Sequence, residues 1–256
     1  MVRSASAAST GVTLGLGVLL LGLGVLLLGG CATTQQEAKR LQLNSARLRA
    51  AELRTTVARP DPRIRVDRVT VLTGGARSGS GSAVAVQVSN LAARATSDLP
   101  IVVRAETAPH HVSALNGASG LDFFQTHLPS IAAHSRLTWV FTTSRRLPSG
   151  THVSAAVGVP KGQPLTVPDR LPELQVISTP AKRGAVQLTI RNPTSVPQYQ
   201  LQVYGLASAH GRTVAAGRAS ITHLGTHTST TLTLRLLGAA APVGTVSFQA
   251  PPTIFS

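Results

Sequence analysis

Apolar and polar residues follow two periodicities along this chain. From about residue 62 onward, apolar residues recur at every second position in short runs bounded by Gly, Pro and Asn. This is the pattern of half-buried strands in antiparallel sheets. Ser82–Asn90 places Val84, Val86 and Val88 on one face, and Gly184–Asn192 places Val186, Leu188 and Ile190 in the same way. Residues 35–58 behave differently: they lack Gly and Pro and are rich in Ala, Leu, Gln, Arg and Glu, which predicts a helix of about six turns. Ala38, Leu41, Leu48 and Ala51 share a face of that helix, but Ser45 and Thr55 interrupt it. So weak a stripe suits a spacer better than a core helix, although a coiled-coil dimer is a second reading. Arg59-Pro60-Asp61-Pro62 then stops the helix.

The strand pattern occurs twice. An Asn (Asn90, Asn192) closes each matched strand at the same distance, and a polar, Pro-containing loop leads to another strand, Leu99–Arg104 in one copy and Tyr199–Tyr204 in the other. Farther on, His134 stands five positions before Trp139, as His227 does before Leu232, and Gly150–Ser154 loosely matches Gly244–Ser247. Four matched segments in one order point to a tandem duplication. Each copy has room for roughly seven short strands, the content of an antiparallel β-sandwich. In the second copy Leu232, Leu234 and Leu236 are expected inside, with Thr231, Thr233 and Arg235 facing solvent.

The N-terminal residues add an uncharged apolar segment to this picture. Residues 11–30 carry no charge and are preceded by a single cation, Arg3. The run ends in Leu28-Gly29-Gly30-Cys31, which resembles the lipobox of bacterial lipoproteins. The resemblance implies signal-peptidase recognition of Leu28, Gly29 and Gly30, cleavage after Gly30, and a lipid anchor on Cys31. Acyl chains hold by burying methylenes, each contributing about 0.8 kcal/mol. A competing reading is an uncleaved membrane helix, because the apolar run of 20 residues exceeds an ordinary signal core. Under it, Lys39, Arg40, Arg47 and Arg49 would favour a cytoplasmic C-terminal side. Under the lipoprotein reading the same cations lie near anionic headgroups.

Charge and composition refine the expectation. Hydrophobic residues make up 43% of the chain but aromatics only 3%, so cores are built from Val, Leu, Ile and Ala. Lys and Arg number 24 against 9 Asp and Glu, a formal +15 that draws the protein toward anionic polymer or lipid. All but three of those cations are Arg, as a GC-rich genome would also produce, and they are dispersed without aromatic partners, which argues against specific nucleic-acid binding. Cys31 is the only cysteine, so no intramolecular disulfide forms. The nine acids are scattered, and Asp122, in Gly120-Leu-Asp-Phe-Phe124, reads as part of a loop turning into an apolar plug. His223 and His227 fall across a turn rather than on a helix, and His110-His111 has no third ligand in view, so no metal site or cofactor is expected. His134 and His227 hold equivalent repeat positions, which suggests a shared structural role.

The second copy, from the strand ending at Asn192 through Gly211-Arg-Thr-Val-Ala-Ala-Gly217 to the Leu224-Gly225 turn, resembles the FxLYD-type domains of bacterial exported proteins. It lacks the Phe-x-Leu-Tyr-Asp string itself. The resemblance implies an immunoglobulin-like sandwich. The expected layout is a signal or membrane segment at 1–30, a helical stalk at 31–61, a first sandwich at 62–160, a linker at 161–170 and a second sandwich at 171–256. The expected role is a non-enzymatic lipoprotein on the extracytoplasmic face of the membrane. It would act as a binding or scaffold module toward an envelope protein or an anionic polymer.

Overall fold

The computed structural model describes residues 30–53, 55–74, 80–108, 111–148, 150–160, 167–179, 184–238 and 245–255. By internal contacts the chain divides into two units, Met1–Ser45 and Ala46–Ser256. The first holds most of helix α1 (Gly30–Ala51), which ends in the second. The helix stops short of the expected residue 58. Thr55, Thr56 and Val57 are β-branched and suit extended backbone better than helix. The segment after them joins the sheet region: Pro60 bridges to Gly158, and the Asp61 N–H donates to the Val157 carbonyl.

The second unit is mainly β. Its strands are β1 (Ile64–Thr73), β2 (Ser82–Asn90), β3 (Leu99–Ala108), β4 (His111–Ala114), β5 (His127–Leu128), β6 (Arg136–Thr143) and β7 (His152–Val157). A second series comprises β8 (Gln175–Ser178), β9 (Ala185–Arg191), β10 (Gln198–Ala209), β11 (Arg212–Leu224), β12 (Ser229–Arg235), β13 (Leu237–Gly238) and β14 (Thr245–Gln249). One-turn helix α2 (Phe123–Thr126) precedes β5. All pairings are antiparallel. Strand β2 lies between β1 and β6, and β9 lies between β8 and β12; β3 lies between β4 and β7, and β10 between β11 and β14. Apart from β5, which pairs with β3, and β13, which pairs with β11, the two series share one pairing order.

The correspondence extends to the corner after each central strand. The Asn90 Nδ2 donates to the carbonyls of Arg94, Ile131 and Ala132, while its Oδ1 accepts from the Ala92 N–H. The Asn192 Nδ2 donates to the carbonyls of Val196 and Gly225, and its Oδ1 accepts from the Thr194 N–H. Both side chains are buried. The turns they hold contain His134 at φ 50° and His227 at φ 52°, left-handed conformations that a histidine tolerates better than a β-branched residue does. Each histidine N–H donates back across the corner, to Ala92 and Thr194 respectively. The two histidines therefore shape turns, as their repeat positions suggested.

Each series has its own apolar cluster, one around Val84, Val86, Val88, Trp139 and Phe141, the other around Val186, Leu188, Ile190, Leu201 and Leu234. In the second, Leu234 and Leu236 are buried as expected, whereas Leu232 is only partly so. Close approach inside this half depends on Gly217: a Cβ there would meet the Arg235 carbonyl oxygen.

The expectation that β2 is half-buried fails, for a tertiary reason. Ala83 and Ala85 are buried along with the valines. The outer face of β1-β2-β6 is covered by the second half: β11 packs on β2 and β6, and β13 on β1 and β2. Tyr204, Leu206, Ala216 and Leu237 close the contact. Small Ala side chains on both surfaces let the sheets come together.

Candidate binding cleft and its buried cations

Where the halves meet, the loop Gly120–Phe124 folds against β10 and β11. Asp122 opens α2, whose Gln125 side chain accepts the Asp122 N–H at 3.0 Å. The two phenylalanines then turn inward, at 6% and 1% exposure, and the Trp139 Nε1 donates to the Phe124 carbonyl at 2.9 Å. The apolar-plug reading of this loop matches its geometry.

The plug covers a cation that the sequence placed elsewhere. Arg47, expected near lipid headgroups, is 2% exposed. Its Nε and Nη2 donate to the two Asp98 carboxylate oxygens at 2.9 and 2.8 Å, and Nη2 also donates to the Thr253 carbonyl at 2.8 Å. The guanidinium carbon lies 5.6 Å from the Phe123 ring centroid and 5.0 Å from that of Phe124. Burial pushes the Asp98 carboxyl above its ordinary range against the opposing pull of Arg47. His127 stacks on Phe123 with centroids 4.0 Å apart, and burial lowers it to about 4.

On the outer side of the plug lies a cleft of about 150 Å³, lined by Asp122, Phe123, Phe124, Gln200, Gln202, Ser220 and Thr222. A second buried cation stands behind it. The Arg218 Nη2 donates to the Gln202 Oε1 at 2.8 Å and lies 3.8 Å from the Asp122 carboxylate, while its Nη1 has no protein partner. Burial lowers the Arg218 pKa and raises that of the neighbouring Tyr204, whose hydroxyl is also buried without a protein partner. Gln200 sits at φ 50°, an unusual conformation for its type, and its Oε1 is likewise unpartnered. The lining offers a carboxylate, amides and hydroxyls beside two aromatic rings, a set suited to holding a small polar molecule by hydrogen bonds.

Gly30 and Cys31 open α1, and the Cys31 side chain, Leu28 and Gly29 lie outside the described residues, as do residues 11–29 of the apolar run. Among the described residues no helix is long and apolar enough to cross a membrane. His223 packs against Tyr199 at 4.7 Å, and His110 lies outside the described residues. Among the described residues no three His, Cys, Asp or Glu side chains gather as a metal-binding group. Sequence reasoning missed Arg47, Arg218, Gln200 and Gln202. Two of these are ordinary strand residues, and the arginines were indistinguishable from the other dispersed cations. No protein-family model matches this chain, and no curated protein matches it.

Proposed function

We propose that this chain is a non-enzymatic lipoprotein on the extracytoplasmic face of the membrane. In this reading Cys31 carries the lipid, and two tandem immunoglobulin-like sandwiches, the second FxLYD-like, form a binding or scaffold body. The observation that carries it is the position of the sole cysteine, at the end of an uncharged run and behind two glycines. The repeated pairing order and the equivalent Asn90 and Asn192 corners support a duplicated sandwich. The cleft at Asp122 supports binding of a polar ligand. Signal-peptidase cleavage after Gly30 requires the first turn of α1 to open, which helix ends do readily.

The deciding experiment is membrane fractionation with mass analysis of the N-terminus, wild type against Cys31→Ala. A mature chain beginning at lipidated Cys31, with release of the Ala variant or retention of its uncleaved precursor, is expected. An intact Met1 on the wild type would convert the reading to a single-pass membrane protein carrying the same body.

A second reading, attraction to an anionic envelope polymer, is favoured by the charge of the second half. After Glu173 no Asp or Glu occurs through Ser256, while Lys182, Arg183, Arg191, Arg212, Arg218 and Arg235 do.

A further inference from the structure

The two halves share one architecture but use the same sheet face in opposite ways. In the first half the outward residues of β2 and β6 include Ala83, Ala85, Thr138 and Val140, all buried beneath the second half. The repeat aligns Ala85 with Gln187, Ser89 with Arg191, Val140 with Thr233 and Thr142 with Arg235. Small and apolar residues on this face of the first half are thus replaced by polar and cationic ones in the second. A face built to stack on another sheet would keep the former. The outer face of β8-β9-β12 has chemistry suited to a hydrated partner instead.

Its layout is regular. Arg191 stands between Gln175 and Ser229, Thr189 between Ile177 and Thr231, Gln187 beside Thr233, and Ala185 beside Arg235. The Thr189 and Thr231 hydroxyls are 3.3 Å apart. Ile177, 59% exposed, adds an apolar side chain on the edge strand β8, one row in from Arg191. No strand of the sheet contains a carboxylate. Arg191 faces Ser229, six residues along β12 from Arg235, so the two guanidinium groups mark opposite ends of a flat surface about 20 Å long.

We propose that this face docks an acidic polysaccharide, a chain of sugars with intermittent carboxylates. The proposal rests on the second reading above and gives it a place and a ligand class. Carboxylates would meet Arg191 and Arg235 as bidentate pairs. The intervening uncharged sugars would set hydroxyls against Thr189, Thr231, Thr233 and Gln187, with a C–H face over Ile177. The spacing decides the class: a polymer with a phosphate at every unit would leave most of its charges over a surface that holds no cation between its two ends. The absence of aromatics from these strands disfavours nucleic acid.

The test uses the full chain in detergent, with hyaluronan, whose carboxylates fall on every second sugar, as probe and binding followed by calorimetry at low and high salt. Comparison variants are Arg191→Gln/Arg235→Gln on the face and Arg68→Gln/Arg94→Gln, an equal charge change at exposed sites in the first half. The face variant should lose affinity by about tenfold for each arginine. The control should lose much less, and Thr231→Val should weaken binding several-fold at unchanged thermal midpoint. Glu173→Gln, which removes the exposed acid two residues ahead of Gln175, should strengthen it. If face and control variants fall equally, the charge reading stands and the face is refuted. If polygalacturonate, charged at every sugar, polyglycerol phosphate or anionic vesicles bind as tightly as hyaluronan, the ligand class is refuted. If the wild type binds no polyanion even at low salt, both fail.

Discussion

Arg47 offers the most direct test of how the body is held together. Replacing it with Ala removes both donors to the Asp98 carboxylate and the donor to the Thr253 carbonyl, and it empties the space over Phe123 and Phe124. Asp98 keeps 14% of its side chain exposed, so it retains only a sliver of solvent as a substitute partner. Breaking a buried ion pair from one side costs about 3–5 kcal/mol, because an uncompensated charge remains. Loss of the cation from the aromatic faces adds about 1 kcal/mol, although the two terms overlap. A total near 4 kcal/mol in a domain of this size lowers the thermal midpoint by about 10 °C.

Differential scanning calorimetry of Arg47→Ala, Asp98→Asn and the double variant reads this out. Asp98 sits at φ 56°, where Asn is at least as comfortable, so its substitution tests charge without new backbone strain. The double variant should be more stable than Arg47→Ala alone, since the orphaned charge has gone. The deficit of Arg47→Ala should also narrow toward pH 5. Burial already pushes the Asp98 carboxyl up, and without the guanidinium it protonates more readily still. A midpoint within about 2 °C of wild type at neutral pH, well short of that total, would refute the reasoning, as would a double variant less stable than the single.

Two further predictions concern the corners and acid stability. Asn90→Ala and Asn192→Ala should each destabilise the body by about 2 kcal/mol in urea unfolding, because each removes at least three hydrogen bonds made by a buried side-chain amide; an unchanged midpoint in either would deny that corner its structural role. His127 is held near 4 when folded against 6.5 when free, so the unfolded chain binds a proton that the folded one refuses between those values. Stability should therefore fall by about 3 kcal/mol as pH drops from about 6.5 to about 4, and His127→Asn should flatten that slope; an unaltered slope would show that other groups govern it.

The sequence made most of the strands readable because their period is local. Alternation in Ser82–Asn90 and Gly184–Asn192, and the distance from each to its closing Asn, required no knowledge of the partner sheets. What it could not reveal was which strand faces are covered twice. Ala83 and Ala85 carry no pattern that separates a solvent-facing alanine from one pressed beneath a second sheet, and their burial comes from residues more than a hundred positions away. The same holds for Arg47. On a helix with a weak apolar stripe, an arginine reads as solvated; what buries it is Asp98, Phe123, Phe124 and the Thr253 carbonyl, three separate segments brought together by the fold. Repetition gives a way past this limit. Wherever two copies share a backbone but differ in side-chain chemistry, the difference records what each copy faces. Ala85 against Gln187, Val140 against Thr233 and Thr142 against Arg235 were present in the sequence throughout, and became interpretable once the first member of each pair was known to lie in a sheet whose outer face the second half covers.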